Sequence, residues 1–203
     1  MFMLEIESIK YEKCEFKILD SISFKLDAGD MLQIAGDNGS GKSTLLKVII
    51  GLLNATSGTI RWEGSQTNTN NIMLKNVLWV GHQSGMKMTL TAEENLKFYH
   101  PTTTRAARWQ ALEKVALGGY EDVPVAALSA GQQRRVALAR LWLSDARLCV
   151  LDEPFTALDS TGCTLLAQQM LIHADRGGIV IFTTHQPVQF PHNRVQLLNL
   201  ELH

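Results

Sequence analysis

The stretch "GDNGSGKSTLLKVIIGLL", Gly36 to Leu53, places Gly36, Gly39, Gly41 and Lys42 directly before an apolar run. In that run Leu45, Leu46, Ile49, Ile50 and Leu53 recur along one helical face, and "MLQIAG" (31–36) before it reads as a short buried strand. The order is therefore strand, glycine loop, helix. Gly36, Asp37, Asn38, Gly39, Ser40, Gly41, Lys42 and Ser43 satisfy GxxxxGK[ST] in the context that motif requires, with Thr44 beside them. Glycines let successive N–H groups turn inward around a polyphosphate, and the helix aims its positive end at the same charge. Lys42 neutralises the terminal phosphates and Ser43 offers a hydroxyl to Mg²⁺. The expected ligand is a nucleoside triphosphate.

Outward from this loop, "LEIESIK" (4–10) and "ISFKL" (22–26) alternate like half-exposed strands and suggest an antiparallel edge, with a turn at Ala28-Gly29-Asp30. "TIRWEG" (59–64) and "VLWVG" (77–81) read as strands around the polar "SQTNTNN" (65–71), expected to be a mobile loop. From about 89 to 143 the pattern turns helical. "LCVL" (148–151) and "GIVIFTT" (178–184) then flank a helix near 161–174, the βαβ grammar of a buried parallel sheet. The expected fold class is α/β. One domain spans 1–203, with a core of about 1–84 and 145–203 and a helical part of about 85–144.

Composition narrows the partners. With 203 residues, 45% hydrophobic residues and a net charge of −1, the chain reads as an ordinary globular domain and not a nucleic-acid binder. Its three cysteines, Cys14, Cys149 and Cys163, are scattered and odd in number, which suits a reducing cytoplasm better than a disulfide framework. The N-terminus lacks signal-peptide features, and no apolar run approaches the ~18 residues of a membrane span.

Two further elements carry chemistry. "LCVLDEP" ends a buried strand in Asp152 and Glu153, at the sheet edge where phosphates should lie. Asp152 is placed to bind Mg²⁺, and Glu153 to orient and deprotonate an attacking water. "LSAGQQRRVALAR" (128–140) opens a helix with serine and glycine, a second anion-binding terminus.

With that element the chain resembles the ATP-binding cassette (ABC) ATPases, whose LSGGQ signature is here "LSAGQ" (128–132). The resemblance covers nearly the whole chain. It implies a P-loop NTPase of the ABC ATPase type, with a RecA-like core sheet, an antiparallel β edge and a helical subdomain. It further implies a dimer of two copies, head to tail, in which Ser129, Gly131 and Gln132 of one complete the ATP site of the other. Ala130 stands where a glycine is commoner. Gln83 in "GHQSG" resembles the Q-loop glutamine, touching Mg²⁺ or water; Asp159 in "TALD" resembles the D-loop residue; His185 in "TTHQP" resembles the switch histidine that holds the γ-phosphate. An aromatic ring against adenine is implied too, with Tyr11 or Phe16 open as the choice. His82 reads as a bland neighbour of Gln83.

The blocks "VLWVGHQSGMKMTLTAEENLKFYH", "LSAGQQRRVALARLWL" and "LDEPFTALD" are similar to the ATP-binding subunits of the bacterial cytochrome c maturation system. That similarity implies haem export or release of a haem-loaded chaperone, a CcmB-like integral membrane subunit with associated maturation proteins, and a peripheral place on the cytoplasmic face of the inner membrane. Met86, Met88, Leu90, Leu96, Phe98 and Tyr99 are the expected contacts with the membrane subunit. Another small transport cassette, for lipoprotein or a metabolite, and a soluble cassette serving as an assembly scaffold are the alternatives.

Overall fold

The computed structural model describes residues 3–67, 76–156, 158–186, 188–191 and 193–201. Its centre is a five-stranded, wholly parallel sheet in the order β6-β7-β8-β3-β9: β6 Val77–Val80, β7 Leu148–Leu151, β8 Ile179–Thr183, β3 Met31–Ala35 and β9 Val195–Asn199. β7 and β8 are buried at every residue, which is why they read as unbroken apolar runs: both faces of the sheet are covered. Side chains alternate between those faces with the strand period of two. Cys149, Leu151, Val180 and Phe182 join a core with α2 (Ala92–Tyr99), α4 (Ala130–Ala139) and α5 (Ser160–Asp175). Leu148, Val150, Ile179 and Ile181 face a second core, built with α1 (Lys42–Ile49) and the other sheet.

That other sheet is antiparallel, in the order β2-β1-β4-β5, from β1 Leu4–Lys13, β2 Phe16–Leu26, β4 Ser57–Trp62 and β5 Ser65–Gln66. The antiparallel strands thus form a sheet of their own and not an edge of the parallel one. β1 and β2 are longer than the alternating segments suggested, and a two-residue turn at Cys14 (φ 50) and Glu15 (φ 68) joins them. Left-handed turns of this kind match the twist of a hairpin. The expected turn at 28–30 is present, closed by Asp30 N–H to the Asp27 carbonyl (3.1 Å) and Asp27 N–H to Asp30 Oδ2 (2.7 Å). The polar stretch 65–71 differs from expectation at its start, since Ser65 and Gln66 pair with β4; residues 68–71 lie outside the described residues.

Between β6 and β7 the chain is helical, with α3 (Arg105–Lys114) between α2 and α4. Thr91 caps α2 in a reciprocal box with Glu94, satisfying two orphan N–H groups. α2 and α3 are clasped by a buried ion pair, Arg108 to Glu93 at 2.7 Å. Asn95, fully buried, accepts from Lys87 N–H (2.7 Å) and donates to the Lys87, Leu90 and Thr91 carbonyls, fixing the segment before α2.

His100, just after α2, buries its Nε2 without a hydrogen-bond partner. Burial first, and the Arg140 charge second, pull its pKa down to about 4, against a weaker upward pull from Asp145. A half-buried imidazole kept neutral contributes its full stability above its unfolded value near 6.5, and that contribution is lost as pH falls toward 4. Thermal melts should therefore drop between pH 6.5 and 4 more steeply in the parent than in His100→Gln; equal slopes would remove His100 as the acid-sensitive group.

Candidate functional site

The carboxyl ends of four neighbouring strands meet at one edge of the parallel sheet. Register pairs Val80 with Leu151, Leu151 with Phe182 and Ile34 with Thr183, so the chain leaves β6, β7, β8 and β3 side by side. Gln83 follows β6, Asp152 and Glu153 follow β7, His185 follows β8, and the glycine loop follows β3. Residues scattered over 150 positions of sequence are brought to one line by topology alone.

The loop wraps around the Lys42 ammonium, which is largely buried and donates to the Gly36 (2.7 Å) and Asp37 (2.8 Å) carbonyls. α1 then begins with Gly41 left-handed (φ 91) and no side-chain cap, leaving its first N–H groups for a ligand. Glycine is required at 36, where φ is 141 and a Cβ would lie 2.5 Å from the Leu200 carbonyl. It is required again at 41, where a Cβ would lie 2.9 Å from the Ile18 carbonyl and Leu19 Cδ2. Ser40 Oγ is buried in this loop without a partner.

Asp152 is buried, and its Oδ1 accepts from the Thr183 hydroxyl (2.8 Å), which itself accepts from Glu153 N–H (2.8 Å). Glu153 adopts φ 53, a left-handed conformation that costs a non-glycine residue ~1–2 kcal/mol and persists only where its surroundings impose it. Its Oε2 accepts from His185 N–H (3.3 Å), and its Oε1, buried with no hydrogen-bond donor, lies 3.4 Å from His185 Nε2. Gln83 and His82 are exposed.

Ser129, Gly131, Gln132 and Asp159 are exposed or half-buried at helix starts. Ser129 and Gln132 form a capping box on α4: Gln132 N–H to Ser129 Oγ is 3.2 Å and Ser129 N–H to Gln132 Oε1 is 2.9 Å. Asp159 caps α5 by accepting from Gly162 N–H (2.8 Å). Within one chain Ser129, Gln132 and Asp159 serve as caps, and Gly131 is exposed at the start of α4. Of the two rings considered for adenine, Tyr11 is half-buried against the second core, while Phe16 stands 77% exposed at the hairpin tip. Of the expected membrane-subunit contacts, Met86 and Leu96 are core residues, whereas Met88 and Phe98 are exposed.

Sequence reasoning missed Arg134 and Thr183. Arg134 extends the buried α4 face of Ala137 and Leu138 back by one turn, a position in an apolar stripe that would have singled out this arginine. Burial pulls its guanidinium below the ordinary value while Asp152 and Glu153 pull it back up.

A nucleotide-shaped glycine loop, an acid pair beside it and the LSAGQ helix together define a P-loop ATPase of the cassette type. The family description "ABC transporter" matches residues 19–156, and the chain belongs to that family. It is 47% identical over 201 residues, 98% of this chain and 97% of the relative, to the cytochrome c biogenesis ATP-binding export protein CcmA of Escherichia coli (strain K12). The CcmA of Shigella dysenteriae serotype 1 (strain Sd197) is 46% identical over the same shares. Among solved structures, the ATP-binding cassette MJ0796, a dimer in a post-hydrolysis state bound to ADP and Pi, is 27% identical with a TM-score of 0.77 over 91% of this chain and 88% of that one. An ATP-binding subunit of an ABC transporter gives 0.79 at 25% identity over 90% of this chain and 80% of that one.

Proposed function

We propose that this chain is the ATP-hydrolysing subunit of an ABC transporter for cytochrome c maturation, peripheral on the cytoplasmic face of the bacterial inner membrane. The near full-length similarity to CcmA carries this reading, together with the convergence of Lys42, Asp152, Glu153 and His185 on one sheet edge. Residues Gly36 to Thr44 bind the phosphates of ATP, and Phe16, with its exposed ring, is the side chain offered to adenine. Asp152 presents a buried hard oxygen, and with the Ser43 hydroxyl and Gln83 would hold Mg²⁺, a fit to the oxygen ligands that ion takes. The ion would offset phosphate charge. Glu153 Oε1, lacking a donor, accepts the proton of the water that attacks the γ-phosphorus, and the bond to the ADP oxygen breaks. His185, within 3.4 Å of that carboxylate, orients the base and meets the γ-phosphate as charge spreads.

A second copy supplies Ser129, Gly131 and Gln132 to the site. A Cβ at Gly131 would meet nothing within 4 Å in this chain, so no internal contact demands glycine there, although glycine in a helix is less favourable than alanine. The demand comes from outside. Gly131→Ala should therefore raise the melting temperature slightly while lowering ATP turnover about tenfold; unchanged turnover would remove Gly131 from the interface. The helical part, about 85–144, transmits closure of the dimer to a CcmB-like membrane subunit, with Met88 and Phe98 as its exposed apolar contacts. Among the described residues no helix is long and apolar enough to cross a membrane.

The test is genetic and biochemical. A strain lacking the chain should lose haem-staining c-type cytochromes, regain them with the parent gene and not with Glu153→Gln. The tagged chain should bring an integral membrane subunit out of solubilised membranes. Normal c-type cytochromes in the deletion strain would overturn the reading.

A further inference from the structure

Arg134 is a buried cation that none of the ion pairs recorded among the described residues includes. Its two terminal nitrogens are held by four main-chain carbonyls instead, while Nε is buried without a partner. Nη1 donates to Gly81 (3.0 Å) and His82 (3.0 Å); Nη2 donates to Glu153 (2.8 Å) and Asp152. These carbonyls belong to the segments leaving two adjacent strands, β6 and β7. One fork therefore binds the segment that leads into Gln83 to the segment that carries the acid pair.

Its second consequence is conformational. Glu153 is left-handed, and its peptide groups are held on both sides: its N–H by Thr183, its carbonyl by Arg134 and the Thr156 hydroxyl (3.0 Å), and the carbonyl before it by Arg134. A strained residue keeps such a conformation only when its surroundings over-determine it. Arg134 also lies on the same ten-residue helix as Gly131 and Gln132, so the start of α4 and the carbonyls of Asp152 and Glu153 are linked through its hydrogen-bonded guanidinium. The far end of the 81–85 segment is held separately, by Tyr99 O–H to the Gly85 carbonyl (2.6 Å) under the Arg140 guanidinium, 4.0 Å from the ring.

We infer that Arg134 is a positioning residue for ATP hydrolysis: it holds Glu153 in its left-handed, reactive orientation and ties that base to the Gln83 segment and to the start of α4. The inference rests on the ATPase reading above. It distinguishes arginine from lysine, because an ammonium is a point charge with three donors and cannot span carbonyls on two segments as the planar fork does.

The experiment compares the purified full chain with Arg134→Lys and Arg134→Gln. Fluorescent ATP-analogue titration gives Kd and the number of competent sites, and steady-state assays give kcat per competent site, so a partly folded population does not mimic the effect. Arg134→Lys should bind nucleotide within about threefold of the parent while kcat falls about tenfold or more, and Arg134→Gln should lose more kcat than Arg134→Lys at similar Kd. A kcat for Arg134→Lys within twofold of the parent overturns the inference. So does a proportional loss of affinity and kcat, or a failure of both variants to bind nucleotide, either of which marks a purely structural arginine. A parent chain that binds ATP without turnover strikes the ATPase reading instead.

Discussion

Glu153→Gln should bind ATP as the parent does and lose turnover by about 10²–10⁴-fold, the range a positioned general base contributes. The amide keeps the size of the carboxylate, and the holds on the backbone, Thr183 on its N–H and Arg134 and Thr156 on its carbonyl, act on atoms the substitution leaves intact. Only the proton acceptor is lost. The amide keeps an oxygen for the His185 N–H, and the exposed His185 ring, 3.4 Å from Oε1, has water as an alternative partner, so the melting temperature should stay near that of the parent. Hydrolysis is also what loosens the proposed two-copy sandwich, so the variant should migrate as a dimer in MgATP and as a monomer in MgADP on gel filtration. Turnover within tenfold of the parent would place the base elsewhere.

The residues legible in the sequence are those whose chemistry is local. The glycine loop announces itself because strand, loop and helix are contiguous, and Asp152 and Glu153 because LCVL runs straight into them. Strand and helix positions followed the same rule, with β7 at 148–151 as expected and α5 at 160–175 within a residue of the expected span at either end. Features set by distant partners were not legible. The Cys14–Glu15 turn lacks glycine and asparagine, the usual markers of a left-handed hairpin, so the first strands looked short. β9 escaped because it is an edge strand whose Leu197 is 60% exposed, giving no clean alternation. Met86 and Met88 have the same composition and opposite fates, one in the core and one at the surface, a difference that only the packing of α2 decides. The apolar stripe of α4 marks Arg134 as an inward-facing position, but its partners, the carbonyls after β6 and β7, are set by the return of distant strands and were not legible.

Lys42→Ala should weaken ATP binding about 100-fold or more, because ~2.7 kcal/mol corresponds to that factor and one charge-assisted hydrogen bond to a phosphate supplies ~1.5–3 kcal/mol. The ammonium already sits within the loop, on the Gly36 and Asp37 carbonyls, so nucleotide meets a charge held in place and not one drawn from solvent. That same placement predicts a cost without ligand. The Gly36 and Asp37 carbonyls lose their donor in a half-exposed loop where water can replace it, and the variant should unfold about 1 kcal/mol more easily than the parent, in contrast to Glu153→Gln. The pair of results separates the two roles: one substitution abolishes chemistry with the fold and affinity intact, the other abolishes affinity and loosens the loop. Isothermal titration with a non-hydrolysable analogue, beside a urea melt of the same preparation, checks both numbers. An affinity within threefold of the parent would mean that the backbone N–H groups of residues 36–44 hold the phosphates without Lys42.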